Sequence, residues 1–426
     1  MNSTALHQLF LKSDGVSTDT RNIKENTLFF ALKGSNFNGN QFAAQALESG
    51  ASYAIIDDEK YYISDKTIVV PDVLCALQDL ARFHRHYLGI PILALTGSNG
   101  KTTTKELINA VLSKKYTTIA TSGNLNNHIG VTLTLLRMDS STEFGIVEMG
   151  ANHQKEIAFL CDIALPDYGY ITNIGKAHLE GFGGIEGVLK GKTEMYVHLK
   201  EHHKMIFLNK DDEKLTNAAG DLNSFTFSQE SGKADIQVIL QQVNPMVSVQ
   251  YDNITIQSNL IGDYNFGNIA AAIAIGRYFE IGNETIKEAI ASYIPENNRS
   301  QIIQKGEATI IMDAYNANPT SMQAAIQNFV ALNFTTKSVF LGDMFELGED
   351  AHKEHQDIVY LLEGTNIHNI ILIGENFFKT HTSSKIKTYR TFEDLKSDWN
   401  TSLVVDANLI KGSRGMKLER ILDLIT

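Results

Sequence analysis

The run Leu93-Ala94-Leu95-Thr96-Gly97-Ser98-Asn99-Gly100-Lys101-Thr102-Thr103 places an apolar strand, a small-residue turn and a helix start in succession. Those residue types in that order suit a polyphosphate. Gly97, Ser98, Asn99 and Gly100 let backbone N–H groups and a helix N-terminus surround phosphate oxygens, while Lys101 reaches the terminal phosphates. Thr102, directly after the lysine, is the expected Mg2+ ligand, and Thr103 extends the nucleotide-facing turn. The spacing is shorter than the general G-x-x-x-x-G-K-[ST] loop, whose first glycine would fall at Leu95. A second candidate is Glu148, which ends the apolar run Phe144 to Val147. On a parallel sheet its carboxylate emerges at the same C-terminal edge as the phosphate loop, within reach of a metal ion. Further along stand His178 and the pair Lys190 and Lys192. On residue chemistry alone a lone histidine and a lysine pair read as surface groups.

Elements able to position these groups are legible on both sides of the loop. Short β-branched runs alternate with longer helical stretches: Thr27 to Leu32, Gln41 to Glu48, Tyr53 to Ile56, Ile68 to Val70 and Asp72 to Tyr87. Leu88-Gly89-Ile90-Pro91 interrupts the series, and a second one starts at Pro91. Its runs at Phe144 to Val147, Tyr168 to Ile171 and Met205 to Leu208 are separated by helical segments, the pattern of a parallel sheet with crossover helices. Alternation around Ile236 to Leu240, Val247 to Tyr251 and Ile254 to Gln257 predicts an antiparallel appendage. Pro295-Glu296-Asn297-Asn298 reads as a linker, after which the rhythm restarts at Thr309 to Met312, Ser338 to Leu341 and Asn369 to Ile373. The expectation is three α/β domains over residues 1–88, 89–298 and 299–426.

Composition narrows the function classes. The chain has 426 residues, 43% of them hydrophobic and 20% charged, with 31 Gly and 6 Pro, which is a globular composition. A formal net charge of -12 disfavours a long polyanion, so nucleic acid is not an expected partner. The two cysteines, Cys75 and Cys161, are too few for a disulfide framework, and both sit in apolar sequence that predicts packing. No stretch approaches the ~18 apolar residues of a membrane span, and the N-terminus lacks a signal-peptide pattern, so a cytoplasmic protein is expected. His84-Arg85-His86 and His202-His203 read as solvated surface.

The contracted loop Thr-Gly-Ser-Asn-Gly-Lys-Thr-Thr resembles the ATP-binding signature of the Mur ligase superfamily, which includes cell-wall peptide ligases and folylpolyglutamate synthases. The resemblance implies an N-terminal uridine domain, a central ATPase domain with a parallel sheet and a Rossmann-like C-terminal domain. It also changes the reading of Ile171-Thr172-Asn173-Ile174-Gly175-Lys176-Ala177-His178. In the family this histidine binds a second Mg2+, and a lysine of the following K-x-E segment carries CO2 as a carbamate. Lys192 rather than Lys190 aligns with that lysine. The physical sense is that a lysine held neutral by burial can add CO2, and the anionic product is an oxygen ligand for a hard cation.

Other segments resemble the dipeptide-adding branch, implying UDP-N-acetylmuramoyl-tripeptide and D-alanyl-D-alanine as substrates, joined at the expense of ATP in peptidoglycan precursor synthesis. Thr18-Asp19-Thr20-Arg21 with Leu28 to Gly34 is similar to the uridine-domain pattern, which implicates Thr20 and Arg21; Thr20 replaces the usual serine. Gly123-Asn124-Leu125-Asn126-Asn127 is similar to a substrate-side asparagine motif, although Val131 stands in place of its proline. Asn268 matches an adenine-side asparagine. Asp313-Ala314-Tyr315-Asn316-Ala317-Asn318-Pro319 is the most diagnostic segment, implying that Asp313 and Asn316 face nucleotide and that Arg299 approaches phosphate. Leu341 to Gly348, His355, and Lys411 to Gly415 also match, with structural turns an equal reading for the two segments. A ligase adding a single amino acid and a nucleotide-gated regulatory protein are the alternatives. A monomer is expected.

Overall fold

The computed structural model describes residues 2–296 and 298–425; Asn297, within the linker read at Pro295 to Asn298, lies outside them. Three main sheets follow one another along the chain. The first has four parallel strands in the order Val16–Ser17, Leu28–Phe30, Tyr53–Ile56 and Thr67–Val69. Its core holds Phe29, Ala31, Ala54 and Ile56 on one face, with Leu28, Phe30 and Ile55 on the other. Both faces are apolar because parallel strands are covered on both sides.

The central sheet has nine strands. From one edge they run Ile254–Gln257, Ser248–Tyr251, Ile236–Gln242, Ser224–Ser228, Met205–Asn209, Tyr168–Ile171, Ile92–Thr96, Phe144–Glu148 and Thr118–Ala120. All pairs from Ile236–Gln242 onward are parallel, and the remaining two strands are antiparallel. The expected appendage is therefore continuous with the main sheet, joined through Ser224–Ser228, a strand whose Ser-Phe-Thr-Phe-Ser sequence carries little apolar signal. Ile92–Thr96 lies between Phe144–Glu148 and Tyr168–Ile171, so the phosphate loop, Glu148 and Thr172 leave the sheet side by side. The third sheet orders Gln301–Lys305, Ala308–Asp313, Ala407–Lys411, Lys337–Gly342, Asn369–Ile373 and Ile386–Tyr389, with only the first pair antiparallel.

The helix Val73–Leu88 binds the first sheet to the second and corrects two sequence expectations. His84 and Arg85 are buried rather than solvated, because this helix is covered on opposite sides by the two units. Arg85 donates to the carbonyls of Ala164 and Leu165 and pairs with Asp167 at 2.7 Å. His84 Nε2 donates to the Met138 carbonyl at 2.8 Å, which leaves His84 Nδ1 to accept from His7 Nε2 at 3.0 Å. His86, His202 and His203 are exposed, as expected. Cys161 is buried, but Cys75 is exposed, since it falls on the outer side of the first turn of Val73–Leu88. Among the described residues no helix is long and apolar enough to cross a membrane.

Candidate active site

The phosphate loop is held by close backbone approach. A Cβ on Gly97 (φ 142°) would lie 2.0 Å from Thr172 Oγ1, and one on Gly100 (φ 79°) 2.5 Å from Asn268 Oδ1. Neither position accepts a side chain without displacement. The segment after Tyr168–Ile171 clamps the turn: Asn173 accepts from the N–H groups of Ser98 and Asn99, and Thr172 Oγ1 donates to the Asn99 carbonyl at 2.6 Å. Gly100 caps the helix Lys101–Leu112 without a side chain, so the first-turn N–H groups face the cavity. Lys101 folds over the loop, donating to the carbonyls of Gly97 at 2.7 Å and Ser98 at 3.2 Å. Burial lowers its pKa, an effect opposed by Glu148. Asn268 is buried: its amide donates to Asn265 and its oxygen accepts from Thr104.

Glu148 is only 1% exposed and accepts from Thr102 Oγ1 and Asn126 Nδ2, each at 2.8 Å. The strand end, the phosphate loop and the asparagine-rich turn thus converge on one carboxylate. Lys105, one turn beyond Lys101 on the same helix, is also buried, with Nζ 3.9 Å from Glu148. Sequence reading passed over it; the available signal was its position four residues after Lys101, which returns it to the same helical face. Asn124 lines the cavity, while the side chain of Asn127 is spent on the N–H groups of Ile129 and Gly130.

Lys192 is 1% exposed, lies over the Phe182 ring and donates to the Ala151 carbonyl at 3.1 Å. Burial first, and then repulsion from Lys101, hold its pKa well below the usual lysine range. Lys190 is exposed on the opposite side of the same helix. His178 sits at the start of the short helix Leu179–Phe182, and its Nδ1 meets Glu346 of the third unit. Among the described residues no group of three or more His, Cys, Asp or Glu side chains could hold a metal ion by itself. The donors do suit Mg2+, which takes few carboxylates and completes its shell with water and substrate phosphate.

The third unit covers this edge. Asn318 Nδ2 donates to Asn99 Oδ1 at 2.7 Å, and Lys176 bridges to Glu354 at 2.6 Å. Asp313 pairs with Lys411 on the adjacent strand Ala407–Lys411 and accepts from the Ser300 N–H. The Arg299 guanidinium lies 3.6 Å from the centre of the Tyr315 ring, and Arg414 lies 6.0 Å from it. Asn316 lines the same space, its oxygen accepting from the Ala317 N–H. Together these groups enclose a cavity of about 880 Å³, bordered by Ser98 to Thr103, Glu148, His178, Asn268, Arg299, Asp313 and Asn316. Lys411, Ser413 and Arg414 border it too, as do Phe345 and Glu346. His355 does not: it is buried, accepting from the Met344 N–H and donating to the Ala351 carbonyl, a structural role. Thr20 and Arg21 stand apart on the first unit, where Arg21 pairs with Asp19.

Three models of one family match the chain in register with its sheets. The Mur ligase family, catalytic domain model matches residues 12–85, the Mur ligase middle domain 95–276, and the Mur ligase, glutamate ligase domain 298–407. The chain belongs to the Mur ligase family. Among its relatives is a Bacillus subtilis Mur ligase, UDP-N-acetylmuramoyl-tripeptide--D-alanyl-D-alanine ligase, 36% identical over 96% of this chain and 93% of that one. The Escherichia coli protein of the same name is 31% identical, over 96% and 92%. Solved Mur ligase structures agree along the full length. MurF ligase from Thermotoga maritima in complex with ADP superposes with a TM-score of 0.85 at 27% identity, covering 98% of this chain and 97% of that one. MurF from Acinetobacter baumannii gives 0.84 at 28%, with the same coverage.

Proposed function

We infer that this Mur ligase joins D-alanyl-D-alanine to UDP-N-acetylmuramoyl-tripeptide with ATP, in peptidoglycan precursor synthesis. The observation that carries the reading is one cavity in which the phosphate loop and Glu148 face Asp313, Arg299 and Asn316, in a chain 36% identical along its length to a ligase of that name. A carboxylate is a poor electrophile at neutral pH, so it must first be activated. In the proposed sequence the terminal carboxylate of the tripeptide attacks the γ-phosphorus of ATP, releasing ADP and forming an acyl phosphate. The free amine of the dipeptide then attacks the acyl carbon, and the tetrahedral intermediate collapses with loss of phosphate and a proton.

The chain's own groups bind and orient. Backbone N–H groups from Gly97 to Thr103 would hold the nucleotide's phosphates, with Lys101 swinging from its carbonyl partners onto them. Arg299 adds positive charge where phosphoryl oxygens accumulate it. Asn268, Asp313 and Asn316 would contact the nucleoside. Asn124 and Asn126 would meet the muramoyl peptide, and Asn127 would shape their turn. Thr20 and Arg21 would bind the uridine end. We assign residues 1–88 to UDP-substrate binding, 89–298 to ATP binding and 299–426 to a C-terminal ligase domain.

Two Mg2+ sites complete the reading, one at Thr102 and Glu148 and the other at His178 and a carbamate on Lys192. Ions there would neutralise charge on the phosphoryl and acyl oxygens. Carbamylation needs a neutral amine, and the burial of Lys192 favours that form. A phosphate-release assay tests the whole: release with UDP-tripeptide and ATP should require D-alanyl-D-alanine. Release at full rate without the dipeptide would overturn the reading.

A further inference from the structure

The loop Gly342 to Gly348 resembles its family in sequence and borders the cavity through Phe345 and Glu346. It is pinned at three successive positions, through the side chain of Asp343 and the backbone of Met344 and Phe345. Asp343 accepts from the N–H groups of Asn376 and Phe377 at 2.8 and 2.9 Å, Met344 donates to His355 Nε2 at 3.0 Å, and Phe345 donates to Ser413 Oγ at 3.0 Å. The next residue, Glu346, has φ 62°, a left-handed conformation that costs a non-glycine residue about 1 kcal/mol or more. Its side chain is 54% exposed, so packing does not maintain it there. What it reaches is the ring of His178, across the boundary between the second and third units.

We propose that Glu346 is a positioning residue for His178, fixing the ring's tautomer and orientation from the third unit. A carboxylate only accepts hydrogen bonds, so in the neutral ring Nδ1 carries the proton and Nε2 keeps its lone pair. That is the arrangement by which a carboxylate orients a metal-ligating histidine. The segment bearing His178 is held from both sides. Gly175 exchanges hydrogen bonds with Ser98 Oγ of the phosphate loop, while the Lys176 N–H donates to Thr320 and its ammonium pairs with Glu354. The third unit therefore supplies the group that readies His178, and that group is withdrawn whenever the unit is not seated. The inference deepens the proposed function, resting on its reading of His178 as a metal ligand.

The test uses the full chain labelled with 15N at histidine, free of nucleotide and metal, with His178→Gln identifying the His178 resonances. In the unaltered protein His178 should show a protonated Nδ1 and an unprotonated Nε2. Glu346→Ala should move the proton toward Nε2, and Glu346→Gln, whose amide oxygen accepts the same bond, should restore the original pattern. In turnover, the Mg2+ concentration for half-maximal velocity should rise about 10- to 100-fold in Glu346→Ala and much less in Glu346→Gln. An unmoved ring pattern in Glu346→Ala overturns the proposal whatever the activity does. A moved pattern with an unchanged Mg2+ requirement supports the positioning role and overturns the metal-ligand reading of His178 instead.

Discussion

Replacing Lys192 with Met separates catalysis from stability, because the buried amine is expected to serve the first and oppose the second. Methionine has similar length and no charge. The substitution removes the hydrogen bond to the Ala151 carbonyl, worth about 1 kcal/mol. It also removes an amine whose charged form is disfavoured by burial and by Lys101. A base with a folded pKa below its unfolded value binds fewer protons when folded. Stability therefore rises with pH between the two values, and below that window the lysine is a net cost. In CO2-depleted buffer at neutral pH Lys192→Met should unfold at the same urea concentration as the parent or a higher one. Any advantage should shrink as pH climbs toward the ordinary lysine value of 10.5. Turnover should move the other way. Loss of the carbamate that would hold one Mg2+ against the transferring phosphoryl group costs about 3 kcal/mol, or about 100-fold in kcat/KM. In Lys192→Ala, which leaves room where the side chain stood, acetate or formate should restore part of the rate. The reading fails if either variant keeps full activity, or if Lys192→Met is strongly destabilised at neutral pH and recovers as pH climbs.

Glu148→Gln preserves shape but removes the charge shared by Thr102, Asn126 and Lys105; phosphate release should fall about 100-fold and demand more Mg2+. An unaltered Mg2+ titration would remove Glu148 from the metal site. Arg85→Ala strands Asp167 at the seam of the first two units, but Lys204 still pairs with it at 2.7 Å, so the expected loss is about 2 kcal/mol in urea unfolding. A change near zero would show that the seam does not depend on this pair. Burial lowers the pKa of both His7 and His84, so stability should fall as pH drops below the unfolded value of 6.5. His84→Gln should flatten that slope below about pH 6.5; a slope as steep as the parent's would place the titration elsewhere.

Local residue order was enough to read the glycine-rich loop, the strand ending at Glu148 and the alternation of strands and helices. Each depends on neighbours close in sequence: glycines allow the loop, apolar runs make buried parallel strands, and a parallel sheet sends every strand's C-terminus to one edge. Contacts between distant segments were another matter. His84 and Arg85 look like any polar triplet on a helix, and their burial follows only from a second unit packing over them. Lys105 acquires its role because Glu148 comes to 3.9 Å from 43 residues further on, and Lys411 because its strand forms beside Asp313. Glu346 meets His178 only because the second and third units pack against one another. Charge and shape complementarity across such a boundary is a property of relative placement, which no single segment encodes. Residue order thus sets the chemistry on offer, and the packing of the three units sets which groups stand close enough to act together.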